Sequence, residues 1–328
     1  RFFNIHNVAW LITLKRLYGC AAAFQLEMGH KVNSGLGMDM HGPDVGKYIQ
    51  WMREIDPNFT MIDVAEWDGN LPSEVYADSV RTDNKFMAFH DDDADNAKRR
   101  LTLELSPMSH RIHVIGNVIY ITFQGIASGE FGTAKHNTQG HNEMDYCNWI
   151  ELFEVADMPE MATCEQKDVH TRECTVGDDG AGSVSNQARD VYNDVTRESV
   201  FKFYGIEAQA PSKKAGEKPK PYVPIEELEF LKSTFVRDEQ FRSIWHMKMA
   251  PRVIYELTNW VTIHGDPYEL FYSNMDDAQL FAFSHGPEFY NDFTSRVNAV
   301  LKSAQQPQLT TTFEDQRSAF LAKYDKLQ

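Results

Sequence analysis

Apolar and aromatic residues recur at helical spacing from Val8 to Leu26 while Lys15 and Arg16 fall on the other face, which predicts a helix with one buried side. A glycine-rich passage over 29–46 follows, and a second amphipathic run from Val45 to Ile55 is closed by Pro57. The next apolar run opens at Phe59, reads as a short strand and delivers Asp63 at its end. Strict alternation would send Asp68 to the opposite face, so the two acids share a site only if the chain leaves the strand after Asp63. Gly69, Asn70 and Pro72 supply such a bend, with a helix starting near Pro72.

Between Arg111 and Phe123 two β-branched runs flank Gly116-Asn117, a hairpin signal. It leads into a glycine loop, Gln124 to Gly132, and then a helix on which Thr133 and Asn137 share a face. Such a loop serves equally as an anion cradle or an ordinary helix start, and its spacing matches neither a P-loop nor a dinucleotide fingerprint. Val169 to Val176 is rich enough in β-branched residues for a rising strand. Gly177 and Gly180 then permit a tight turn and Ala181 to Val184 make the return, a hairpin with Asp178 and Asp179 at its tip. Two adjacent carboxylates projected off a sheet are a hard-oxygen site suited to Mg²⁺ or Mn²⁺. Farther on, Ala188, Val191, Tyr192 and Val195 form a helical stripe that Gly205 stops, and Leu228 to Val236 reads as a short strand pair. From Pro251 the periodicity predicts helices over Arg252 to Val261, Asp266 to Asn274, Asp277 to His285 and Pro287 to Ser303, with a frayed polar tail from Gln305.

At 328 residues and 42% hydrophobic content the chain can bury a sizeable core in two or three structural units. The net charge of −16 argues against non-specific nucleic-acid binding through the overall field. It leaves room for a local basic channel, and basic residues do cluster at Lys98-Arg99-Arg100 and between Lys213 and Lys220. The acidic run Asp91 to Asp95 reads as a solvated loop or helix start. Four scattered cysteines make no disulfide framework, and Cys164, His170 and Cys174 lack the spacing of a compact zinc pair. No apolar run is long enough to span a bilayer. A start at Arg1, inside a strand-like run, raises the expectation of a piece cut from a longer protein.

Taken in order, the chain offers Asp63-x4-Asp68, Ser128-Gly129-x3-Thr133-x3-Asn137, Gly177-Asp178-Asp179, a lysine after Tyr204-Gly205-Ile206, and Phe230-Leu231-Lys232-Ser233. This ordered set resembles motifs A to E of viral RNA-dependent RNA polymerases. It looks most like the picornavirus-like group that includes the dicistroviruses and iflaviruses, over nearly the whole chain. The resemblance implies an α+β, right-hand polymerase with an antiparallel-sheet palm, partial fingers and a helical thumb. Residues 1–57 would be partial fingers, 58–236 the palm with a fingers insertion at about 77–122, and 237–328 the thumb, the N-terminal part of the fingers lying upstream.

The activity implied is RNA-directed RNA synthesis from ribonucleoside triphosphates by a two-metal mechanism, replicating a positive-strand RNA virus genome. By similarity, Asp63 and Asp178 bind two Mg²⁺ or Mn²⁺ ions and Asp179 assists. Asp68, Ser128, Gly129, Thr133 and Asn137 match the ribose pocket that selects the 2′-hydroxyl. Lys213 matches the lysine that protonates pyrophosphate, although Ala208 to Pro211 departs from the family's usual turn and Lys214 adjoins. Lys232 resembles the lysine that grips primer phosphate, and Arg1 the last member of a Lys-x-Arg pair over the triphosphate. Val176 stands where many relatives carry tyrosine. The partners implied are template and primer RNA, ribonucleoside triphosphates, a protein primer and other viral replication proteins, in membrane-associated complexes of the host cytoplasm. A non-catalytic RNA-binding palm is the reading from another class. A reverse transcriptase is disfavoured, because Asp68 and Asn137 invite the 2′-hydroxyl that such enzymes exclude.

Overall fold

The computed structural model describes residues 8–89, 93–109, 111–115, 117–122, 126, 132–209, 218–259 and 266–325. The chain divides into two compact units, one of 1–38 with 52–224 and the other of 39–51 with 225–328. No helix among the described residues is long and apolar enough to cross a membrane.

In chain order, α1 (Val8–Met28) is the expected first helix, and α2 (Asp44–Met52) is the expected second, ending three residues early. Strand β1 (Asn58–Val64) is buried on both faces over most of its length, as a central strand must be. It ends where Glu66 takes a left-handed φ of 48°, and a single turn, α3 (Trp67–Asn70), follows. The exit from the strand therefore sits at Glu66, before the Gly69-Asn70 pair that the sequence offers for it. Next come α4 (Ser73–Ala88), α5 (Ala94–Ser109) and the hairpin β2 (Arg111–Ile115) with β3 (Val118–Thr122), whose register matches the Gly-Asn turn signal. Asp93 opens α5 by accepting from the backbone N–H groups of Asp95 and Asn96.

The long helix α6 (Thr133–Val155) begins after Gly132. Residues 164–170 form α7 (Cys164–His170), where Thr163 caps the helix by accepting from the Gln166 N–H. The expected strand from Val169 is thus shorter, because a cap and the helix-forming run Glu165-Gln166-Lys167 claim its first two residues. Strand β4 (Thr171–Val176) and strand β5 (Asp179–Val184) make the expected hairpin, and β5 starts earlier than Ala181. Helix α8 (Asp194–Phe203) begins later than the stripe from Ala188 predicts. Asn193 and Thr196 form a reciprocal capping box that fixes its start, and Ala188 to Tyr192 pack as turns instead. Strand β6 (Ala208–Gln209), which carries no sequence signal of its own, completes an antiparallel sheet in the order β4-β5-β1-β6. The free edge of β4 is covered by 33–35 through Gly35 N–H to Thr175 C=O and Thr175 N–H to Asn33 C=O. Ile62, Trp67, Leu71, Met144, Phe201 and Ile206 join one core between this sheet and its helices.

In the second unit β7 (Glu229–Phe230), β8 (Ser233–Arg237) and β9 (Trp245–Met249) form an antiparallel sheet. Helix α9 (Pro251–Leu257) follows, and the two helices expected from Asp266 and Asp277 are one, α10 (Pro267–Phe283). Nothing between Asn274 and Asp277 breaks a helix, and Met275 and Ala278 lie fully buried on its inner face. Helix α11 (Pro287–Ser303) has its predicted bounds. The tail read as frayed contains α12 (Phe313–Asp325), held by buried Phe320 and by the Lys323 ammonium, which donates to Asp39 Oδ2 at 2.8 Å. Buried Asp238 pins it further. Burial would raise its carboxyl, but donors from His246, Phe241 and Gln240, with Arg317 nearby, bring it down to about 2.

Candidate active site

Asp63, the penultimate residue of β1, is only 2% exposed and lies opposite Asp179 on β5 and Gln209 on β6. The Gln209 side-chain amide donates to Asp63 Oδ1 at 3.0 Å. Val176 pairs with Asp179, so the hairpin tip is the two residues Gly177 and Asp178. A left-handed φ of 66° at Gly177 and an ordinary φ at Asp178 give a turn of the II′ kind, which suits the twist of the strands and calls for glycine first. Of the acid pair, then, only Asp178 is at the tip; Asp179 opens the return strand. The Val64 N–H donates to the Asp178 carbonyl at 3.2 Å, which ties the tip to the end of β1.

This arrangement places the three acids of the sequence prediction on the neighbouring strands β1 and β5 and in the hairpin tip that opens β5. Their oxygen-only chemistry fits a hard divalent cation. Among the described residues no three His, Cys, Asp or Glu side chains are gathered closely enough to enclose an ion. The strand register supplies the juxtaposition, and part of Asp63 is meanwhile engaged by Gln209.

Helix α6 brings the second set. Asn137 is 6% exposed, its carbonyl accepts from the Trp67 indole N–H at 2.9 Å, and its Oδ1 has no hydrogen-bond partner among the described residues. A buried acceptor without a donor is uncommon and marks a place where a ligand can supply one. Trp67 precedes Asp68 in α3, and the Asp68 carbonyl accepts from the Ile126 N–H at 2.6 Å, so Ile126 is tied to the acid's own backbone. Thr133 is the first residue of α6 and lies one turn from Asn137. Ser128, Gly129, Lys213 with its neighbour Lys214, and Arg1 lie outside the described residues.

Lys232 belongs to the second unit. It forms with Leu231 the two-residue turn between β7 and β8, at φ values of 58° and 51°. Both are left-handed, a conformation that costs non-glycine residues energy, and Lys232 is exposed there.

Sequence reasoning missed the polar residues beneath the hairpin. Thr138, His141, Asp145 and Asn148 are all buried along α6 at helical spacing, but the helix is polar on its other faces too, so the sequence does not mark this stripe as buried. Arg197 on α8 answers it: its guanidinium lies 2.5 Å from Asp145 Oδ1, 3.3 Å from Asp194 Oδ1 and 3.7 Å from Glu173 Oε1. Lys167 from α7 also pairs with Glu173, and the Tyr192 hydroxyl donates to it. Burial would raise the Glu173 carboxyl, yet Lys167 and Arg197 bring it down to about 2. Burial dominates at Asp194 and pushes it up to about 7 despite Arg197. Asp194 Oδ2 accepts from the Met61 N–H at 2.7 Å, so the network reaches β1 itself. A second buried group joins Asp83 of α4 to Lys135, His136 and Gln139 of α6.

The family model described as viral RNA-dependent RNA polymerase matches residues 1–302. The genome polyprotein of rice tungro spherical virus (strain Vt6) is 25% identical over 315 residues, covering 96% of this chain and 9% of the polyprotein. The replicase polyprotein of cricket paralysis virus is 22% identical over 322 residues, covering 95% of this chain and 18% of that polyprotein. The chain thus spans a small part of the curated relatives it matches. Among solved structures, a Sicinivirus 3Dpol RNA dependent RNA polymerase superposes with a TM-score of 0.73 at 18% identity, over 96% of this chain and 61% of that one.

Proposed function

Because this chain belongs to the viral RNA-dependent RNA polymerase family and has its right-hand fold, we propose that it transfers ribonucleotides, under template direction, to the 3′-hydroxyl of RNA in copying a positive-strand virus genome. The observation that carries this reading is the register of β1 and β5, which sets Asp63 opposite Asp179 with Asp178 in the adjoining tip. Asp63 and Asp178, with Asp179 beside them, would hold two Mg²⁺ or Mn²⁺ ions. When bound, such ions offset phosphate charge and make a hydroxyl a better nucleophile.

The chain's other residues bind and orient. Asn137 Oδ1 accepts a hydrogen bond from the 2′-hydroxyl of the incoming ribonucleotide, with Asp68 and Thr133 completing the ribose pocket alongside Ser128 and Gly129. A site built to bond a hydroxyl rejects the sugar that lacks it. Lys213 gives a proton to the departing pyrophosphate, Lys232 contacts primer phosphate, and Arg1 belongs to the cations over the triphosphate. Fingers over 1–57, palm over 58–236 with an insertion at about 77–122, and thumb over 237–328 are part of the same proposal. So are a protein primer, the other viral replication proteins, and assembly with them at host cytoplasmic membranes.

The test is primer extension on primed RNA by the full-length polymerase. Mg²⁺-dependent incorporation of ribonucleotides is expected, and none under any divalent ion would overturn the assignment. In the same assay Asn137→Ala should erode the preference for ribonucleotides over deoxyribonucleotides about two- to tenfold, the worth of one buried hydrogen bond at ~0.5–1.5 kcal/mol. Unchanged discrimination in mixed-substrate competition counts against the Asn137 role.

A further inference from the structure

Gly177 is the first residue of the turn in the acid-bearing hairpin, and a Cβ built there would meet nothing within 4 Å. The tip is therefore not held by packing at this residue; polar contacts hold it. Both backbone groups of Gly177 are taken by side chains of one helix. Its N–H donates to Thr138 Oγ1 at 2.9 Å, and its carbonyl lies 3.0 Å from His141 Nδ1. Since a carbonyl can only accept, Nδ1 is the nitrogen that carries the hydrogen. The carbonyl so held belongs to the peptide that links Gly177 to Asp178.

We propose that Thr138 and His141 are positioning residues for Asp178, a two-point clamp from α6 that fixes the hairpin tip in the orientation its carboxylate needs. The proposal rests on the role given above to Asp178. Thr138 and His141 are three residues apart and so project from one face of the helix, side by side toward the same peptide.

His141 is fully buried, and what holds its ring is packing: its Nε2 lies 3.8 Å from Asp145 Oδ2 with neither atom hydrogen-bonded among the described residues, while the other oxygen of Asp145 is gripped by Arg197. The rings of Trp67 and Phe201 stand at 5.8 and 6.2 Å from the imidazole. On the strand side a Cβ at Gly180 would come within 3.1 Å of His141 Cε1, so the glycine after the acid pair is what lets the imidazole approach. Thr175, three residues before Asp178, is tied to the same helix by donating to Asn142 Oδ1 at 2.7 Å.

Catalytic groups must be held to a fraction of an ångström, and a small misplacement costs up to about a hundredfold in rate. Thr138→Val removes the acceptor and keeps the shape, whereas Thr138→Ser restores a hydroxyl. In the full-length polymerase Thr138→Val should lower kcat for ribonucleotide incorporation by about 10- to 100-fold with KM within about twofold of wild type. Mn²⁺ binding, read by paramagnetic resonance without substrate, should weaken in Thr138→Val and recover with Thr138→Ser. His141→Asn, which retains a donor near the Nδ1 position, should keep more activity than His141→Phe. Wild-type kcat and Mn²⁺ affinity in Thr138→Val would overturn the clamp, and so would equal losses in Thr138→Val and Thr138→Ser, which point to packing instead. Asp178→Asn is the companion control. If it is inactive while Thr138→Val is normal, only the clamp fails; if it is active, the Asp178 assignment and the clamp fall together.

Discussion

Asp178→Asn polymerase is expected to lose nucleotide incorporation by about a thousandfold or more, and Asp63→Asn by as much. Each change removes a negative charge that divalent ions would use, and several kcal/mol of lost stabilisation corresponds to about that factor. Neither change should unfold the chain. Asp178 is half-buried at a turn whose shape is set by the glycine before it and by its own carbonyl, which accepts from Val64. An asparagine at 63 keeps an oxygen for the Gln209 amide, the contact that Asp63 Oδ1 now makes. The pair of measurements is primer extension with Mg²⁺ and a denaturation curve. Wild-type extension by either variant means the acids are not the metal site.

Arg197→Met should destabilise the first unit by about 3–5 kcal/mol, the usual cost of leaving buried carboxylates without their partner. The guanidinium is 3% exposed and lies against Asp145, Asp194 and Glu173, with the Tyr192 ring 5.1 Å away. Met fills much of the volume, so the loss reports charge rather than a cavity. Lys167 still answers Glu173, but no cation remains within ion-pair distance of Asp145 Oδ1 among the described residues. Adding Asp145→Leu to Arg197→Met should return part of the loss, a coupling readable from urea midpoints at constant slope. A shift below about 1 kcal/mol would mean that water reaches the cluster and screens it.

The chemistry-bearing residues were legible because they sit in short, local patterns. Gly177 next to two acids, the apolar run ending in Asp63, and Thr133 four before Asn137 each follow from a turn rule or a helix repeat. Boundaries that depend on caps were read less well. Thr163 and Asn193 start helices at points where the hydrophobic pattern alone suggests a strand or an earlier helix. Features made by distant partners carried no local signal. Strand β6 is two residues long and exists because β1 offers it an edge, and α12 is organised by Phe320, Lys323 and their contacts rather than by an amphipathic stripe of its own. The clamp residues Thr138 and His141 were passed over for a different reason. Polar residues inside a helix read as surface until the sheet beneath them is known.

The turn at Leu231 and Lys232 sets stability and chemistry at odds. Two left-handed residues in succession are what Asn-Gly supplies with least strain, and this chain spends a leucine and a lysine there instead. Selection for a tougher fold would drive the pair toward Asn-Gly and, on the proposed reading, strip away the cation that meets primer phosphate. A lineage that keeps the lysine accepts a weaker hairpin in every copy of the protein it makes.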